Sequence, residues 1–279
     1  MSTLLVGFDS AWTAHNKGAL VGAVERQDGT CTAIAGPAIA GFEEAEAKIL
    51  EWQRCHSPGR TIILIDQPTI VANSTGQRPV ENIVSSSVSL RFGGMQPANT
   101  QRKGMFDAAA PIWPFLNRFG GPAQLDSLGS GNLVVETYPV LEIISRGWVR
   151  ADPRRATGRL PKYNPERRRT FSLKDWSYLC ERVAESFALD GLNDLEGWCR
   201  SSACLGQPRK ADQDCLDACI CLLIAIALAK GRKCLATGTQ ESGYIVASDS
   251  SALRDELRSR CTRTERNFET WTRRIGLKD

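Results

Sequence analysis

The chain has 279 residues, of which 42% are hydrophobic and 24% charged, and a net charge of +4. That length suits one large or two small domains and is ample to bury a core, and the composition excludes a disordered or fibrous chain. No basic stretch followed by an apolar one opens the sequence, and the longest apolar run, residues 218–229, is shorter than the roughly 20 residues that span a bilayer, so a soluble, cytoplasmic protein is expected.

In chain order, residues 4–8 are an apolar run that stops at Asp9 and predict a buried strand. Residues 18–24 and 31–35 predict a second and a third strand, with Asp28-Gly29 between them as a hairpin signal. Residues 42–55 carry Phe42, Ala45, Ile49 and Trp52 at helical spacing, with acids early, and predict an amphipathic helix. A fourth strand is expected over 61–66, ending at Asp66. A meander of three strands is thus followed by a crossover helix and a fourth strand.

Residues 67–132 are rich in Gly, Pro, Ser and Asn and read as an insertion or lid, with Arg78 and Arg102 as possible substrate contacts. Residues 133–135 then predict a fifth strand ending at Glu136, and 140–148 a helix after Pro139. Helices are expected over 172–189 and 212–230, the latter closed by Gly231, with a late strand over 243–247. The arginine-rich stretch 254–274 is interspersed with acids and reads as an exposed helix. Trp113, Trp176 and Trp198 read as packing groups, and neither His15 nor His56 has an identifiable catalytic partner. The ten cysteines contain no CxxC pair, which predicts reduced, mostly buried thiols rather than a zinc site.

Charge is unevenly spread. Between Arg146 and Arg169 nine basic residues stand against two acids, a net +7 that leaves −3 for the rest of the chain. Such a concentration suits a polyanion, since Lys and Arg contacts to phosphates supply most sequence-independent affinity for nucleic acid. Arg154, Arg155, Lys162, Arg167, Arg168 and Arg169 are the candidate substrate contacts. A solvated loop is the alternative.

The acids carry the chemistry. Asp9, Asp66 and Glu136 each end an apolar run, and Asp214 and Asp217 share one face at the start of an apolar helix. Asp212 reads as a cap. Ligand sites in open α/β sheets lie outside the carboxyl ends of the strands, so these acids can converge there. Oxygen ligands of this kind suit Mg2+ or Mn2+, and two such ions activate water and stabilise a leaving oxygen in phosphodiester cleavage. Asp9 would bridge, Asp66 would bind from the neighbouring strand, and Asp214, Asp217 and Glu136 would complete the catalytic set.

Gly7-Phe8-Asp9, Ile65-Asp66-Gln67-Pro68, Glu136-Thr137-Tyr138-Pro139 and Asp214-Cys215-Leu216-Asp217-Ala218 together resemble domain-of-unknown-function family 429, described as predicted nucleases with a ribonuclease H-like fold. Order and spacing carry the resemblance, which covers most of the chain. The pattern is also similar to that of Holliday-junction resolvases, in which a strand-one Asp, a strand-four acid and an Asp-x-x-Asp helix bind metal. The resemblance implies an α/β fold with a five-stranded mixed sheet, strands one to three antiparallel, flanked by helices. It further implies metal-dependent cleavage of DNA or RNA, with Glu136 outside the resolvase pattern. Two alternatives stand beside it. One is a nucleotide-binding or phosphotransfer protein of the actin-like superfamily, although Asp9-Ser10-Ala11-Trp12 lacks the glycine that lets such a turn approach a phosphate. The other is a nucleic-acid-binding module without chemistry.

Overall fold

The computed structural model describes residues 1–85, 95–126, 128–153 and 155–276. The N-terminal apolar run forms β1 (Thr3–Asp9), which occupies the centre of a five-stranded sheet because it pairs on both sides. On one side it is antiparallel to β2 (Gly18–Glu25), which pairs with β3 (Cys31–Ala40); on the other it is parallel to β4 (Arg60–Ile65), which is parallel to β5 (Gly131–Glu136). Helix α1 (Phe42–His56) makes the crossover from β3 to β4. The order β3-β2-β1-β4-β5 is the mixed sheet expected from the sequence and is consistent with a ribonuclease H-like fold. The third strand runs five residues beyond its predicted end, because its exposed outer positions need no apolar alternation.

Side-chain alternation divides the interior in two. Leu4, Val6, Phe8, Ile63 and Ile65 face one core with α1 and α3 (Ile112–Arg118). Leu5, Ile62, Leu64 and Val135 face a larger one, dominated by α7 (Lys210–Ala229). Each such fully buried aliphatic side chain stabilises the fold by roughly 1.5–3 kcal/mol. From Gln213 to Leu228 every residue of α7 is buried, since α7 lies between the sheet and the α5 (Leu173–Leu189) and β9 (Gly243–Ser248) elements. Gly7 lets that helix come close: a Cβ there would stand 2.1 Å from the Ala218 carbonyl oxygen.

The remaining elements extend the larger core. Helices α2 (Pro79–Val84) and α4 (Pro139–Ser145) both pack against β9, and β6 (Arg150–Asp152) with β7 (Arg155–Arg159) forms a hairpin inside the basic segment. Helix α6 (Asn193–Ala203) packs on α5. A second, antiparallel sheet has the order β10-β8-β9, from β8 (Cys234–Thr239), β9 and β10 (Thr272–Ile275). It joins the first sheet where Thr137 donates its hydroxyl to the Val246 carbonyl at 2.7 Å. The expected helix over 254–274 is corrected: α8 (Ser251–Arg263) buries Leu253, Leu257 and Cys261, the short α9 (Phe268–Trp271) follows, and the chain then enters β10. All ten cysteines are free thiols, eight of them buried. No helix among the described residues is long and apolar enough to cross a membrane.

Candidate active site

Both central parallel strands end at an aspartate. Phe8 pairs in register with Ile65, and the Asp66 N–H donates to the Phe8 carbonyl at 2.9 Å, so Asp9 and Asp66 stand side by side one residue further on. Phe8 and Ile65 face the α1 core, so alternation directs the two aspartates toward α7. Asp217 arrives from that helix, one residue before the Ala218 carbonyl that lies over Gly7. Asp214 is one turn earlier. Asp9, Asp214 and Asp217 are buried, while Asp66 keeps part of its surface open to a cleft.

The charges of this group are mutually felt. Burial, then the carboxylates of Asp217 and Asp66, push Asp9 well above the usual carboxylate range. Burial and Asp217 do the same to Asp66. Asp217 rises to about 6 through burial, opposed by the Lys210 ammonium and by hydrogen bonds from Gln213 and Tyr163. Those bonds are 2.9 Å each, from the Gln213 amide nitrogen to Oδ2 and from the Tyr163 hydroxyl to Oδ1. Lys210 binds the Asp214 carboxylate, and although burial works against its charge, Asp9, Asp214 and Asp217 hold its ammonium above the ordinary lysine range.

One ammonium thus faces four aspartates. The donor set is all oxygen and short of positive charge, which in chemistry fits a hard divalent cation. The side-chain positions do not pre-form its shell: among the described residues no three His, Cys, Asp or Glu side chains are grouped so as to hold a metal ion. Both Asp217 oxygens are engaged and Asp214 is held by Lys210. Loading a cation would require Lys210 to release Asp214 and these carboxylates to turn.

Glu136 is placed differently from the aspartates. It pairs in register with Ile65, so along its strand it is out of phase with Asp66. Its carboxylate accepts from Arg78 Nη2 at 2.6 Å, Arg78 Nη1 at 2.9 Å and the Thr69 N–H at 2.9 Å. Arg78 also donates from Nε to Glu81 at 2.8 Å. The expectation that Arg78 meets substrate is corrected, because its side chain is fully buried in these pairs. Asp212 accepts from the Arg209 N–H at 2.7 Å, in the capping role read from the sequence.

The basic segment divides. Arg146 pairs with Glu142, and Arg150 and Arg159 both reach Asp175, so these three are neutralised within the fold. Arg159 and the Lys162 N–H together saturate Asp175 Oδ2. Lys162 and Arg167 line the same cleft as Asp66 and Asp217, a cavity of about 260 Å³. Arg168 and Arg169 are exposed. Arg155 opens β7 opposite Asp152, and Arg154 lies outside the described residues.

Trp12 and Tyr138 complete the walls of that cleft. Trp12 has φ 63, a left-handed conformation that is an outlier for a bulky side chain and is a mark of functional loops. Its indole N–H donates to the Asp66 carbonyl at 3.1 Å and its ring meets Phe106 edge-on, with centroids 5.4 Å apart. Lys210, Gln213, Tyr163 and Trp12 join the site without having been expected there from the sequence. Lys210 and Gln213 had a signal, since each precedes an aspartate by four residues on one helix. Tyr163 had none, being 54 residues from Asp217.

Searches of curated proteins and of solved structures return no match. A family model described as "Protein of unknown function (DUF429)" matches residues 7–241, which takes in every aspartate of the site, the cleft and the basic segment. The chain therefore belongs to the DUF429 family.

Proposed function

We propose that this protein is a divalent-metal-dependent nuclease that hydrolyses phosphodiester bonds in DNA or RNA. The observation that supports it best is the meeting of Asp9, Asp66, Asp214 and Asp217 around one ammonium, beside a cleft that also carries Lys162 and Arg167. Asp9, Asp66, Asp214 and Asp217 would hold Mg2+ or Mn2+, as one ion or two, which would supply an activated water and charge stabilisation for the leaving oxygen. Lys162, Arg167, Arg168 and Arg169 would bind the phosphates of the strand, together with Arg154 and Arg155. Tyr163 and Gln213 orient the Asp217 carboxylate. Glu136, also in the proposed catalytic set, lines the same cleft while its carboxylate is held by Arg78.

A second reading, a nucleic-acid-binding module without chemistry, is favoured by the Lys210 ammonium already seated among the acids. The actin-like reading is weakened because the second sheet is three-stranded and antiparallel, so among the described residues the first sheet has no duplicate. Cleavage decides among these. Single- and double-stranded DNA and RNA, incubated with the protein and Mn2+ or Mg2+, should be cut, and the cutting should stop with EDTA or in Asp66→Asn. Binding without cleavage under every metal condition would favour the module, and equal cleavage by Asp66→Asn would reject the site.

A further inference from the structure

Two buried amides line the cleft and each has one half left over. Gln67 is 0% exposed: the Ser10 hydroxyl engages its amide oxygen, and its amide nitrogen has no partner among the described residues. Gln213 is 7% exposed: its amide nitrogen donates to Asp217, as an acceptor-only carboxylate demands, and its amide oxygen has no partner among the described residues. A buried polar atom without a partner is costly, so its persistence in a cleft points to a ligand that completes it. Both amides are fixed from behind by the acidic site, through Ser10 beside Asp9 and through Asp217 itself. The residues that line the cleft therefore include one amide with an unused donor and one with an unused acceptor, together with the aromatic side chains of Trp12, Tyr138 and Tyr163.

Donor, acceptor and aromatic surface are what an unpaired base requires, because its Watson–Crick edge is free and its ring stacks on aromatic side chains. A paired base has that edge occupied. At about 260 Å³ the cavity is also below the roughly 300–1,000 Å³ of pockets that enclose drug-sized ligands, a size for one base rather than a duplex. We propose that this cleft takes a single unpaired nucleobase of the substrate strand, read by Gln67 and Gln213, with the adjoining phosphates on Lys162 and Arg167. The proposal rests on the nuclease reading for its substrate class and narrows that class to strands carrying an unpaired or extruded base.

The test is binding in EDTA, where no metal-dependent cleavage occurs. The probes are a fluorescently labelled single strand, as DNA and as RNA, its duplex, and a strand of equal length built of abasic sugar phosphates. The wild-type protein should bind one of the single strands at least tenfold more tightly than the duplex and the abasic strand. Gln67→Met should lower affinity for that strand about tenfold and leave the abasic affinity unchanged, in keeping with loss of one hydrogen bond. Equal binding of normal and abasic strands by wild type would overturn the proposal, with no variant needed, as would a folded Gln67→Met protein that keeps the wild-type ratio. Base-blind binding with metal-dependent cleavage removes this proposal and keeps the nuclease; base-dependent binding without cleavage does the reverse.

Discussion

Gly7 lies directly beneath Ala218: a Cβ on Gly7 would stand 2.1 Å from the Ala218 carbonyl oxygen and 2.5 Å from the Leu222 nitrogen. Both obstacles are backbone, so no side-chain rotation relieves them. The absent side chain therefore sets how near α7 comes to β1, and with it how near Asp217 comes to Asp9. Gly7→Ala should destabilise the protein by about 1–3 kcal/mol or more, the cost of overpacking a tight core. Gly36→Ala is the control, since that exposed strand glycine has nothing within 4 Å of a built Cβ. Urea unfolding of both variants checks the contrast, and an unaffected Gly7→Ala would contradict the packing account.

Asp9, Asp66 and Asp217 all have raised pKa values in the folded chain, mainly through burial. Their protonated forms therefore favour folding. Each contribution is complete below the unfolded carboxylate range and is lost as pH rises through that group's own raised folded value, which for Asp217 is about 6. Asp9→Asn removes one carboxylate from the group. Without metal it should melt higher than wild type at pH 8 and nearly level with it at pH 4, each unit of pKa rise being worth about 1.4 kcal/mol. Added Mn2+ should raise the melting temperature of wild type at pH 8 more than that of the variant. Thermal melts across pH read both effects, and parallel curves would contradict the coupling.

Glu136 and Arg78 separate a structural carboxylate from a ligand. Arg78→Met leaves Glu136 and Glu81 buried without their cation and should cost about 3–5 kcal/mol. Glu136→Gln keeps one accepting oxygen toward Arg78, sets its amide NH2 against a second donor, and should leave Mn2+ affinity unchanged. Calorimetric titration of Glu136→Gln with Mn2+ checks this, and a loss of affinity comparable to that of Asp66→Asn would return Glu136 to the metal shell.

Within the basic segment the effect should follow position. Arg167, Arg168 and Arg169 are all exposed, and of the three Arg167 is the one that lines the cleft. Arg167→Ala should weaken nucleic-acid binding across sequences and reduce the slope of log affinity against log salt by about one, and Arg168→Ala should do less. Mn2+ affinity should not change. Binding measured over a salt series decides, and a triple alanine variant of Arg167, Arg168 and Arg169 that binds as wild type at every salt would leave the segment a solvated loop.

The parts of this fold legible in the sequence are those where burial imposes a pattern. Residues 4–8 and 62–65 are continuous apolar runs because both faces of central strands are covered, and the aspartates that end them were therefore locatable. The same rule located Glu136, whose strand also ends at an acid and which lines the cleft, but not its hold on Arg78: the one-residue difference in register is a property of pairing, which a single sequence does not display. Arg78 sits in a Gly- and Pro-rich stretch where nothing local signals burial. Strand β10 reads Thr-Arg-Arg-Ile, with its two central residues exposed, and carries too little apolar pattern to be read as a strand. Tyr163 reaches Asp217 only through the fold of the basic segment, whose hairpin the charge pattern concealed.

The metal-dependent reading requires that the aspartates at the ends of β1 and β4 and on α7 form a divalent-metal site. Crystals of the protein soaked in Mn2+, with anomalous scattering measured near the manganese edge, test it most directly. One or two anomalous peaks are expected within coordination distance of Asp9, Asp66 and Asp217, with the Lys210 ammonium displaced from Asp214. Saturating Mn2+ that leaves Lys210 on Asp214 and gives no peak among these carboxylates would contradict it.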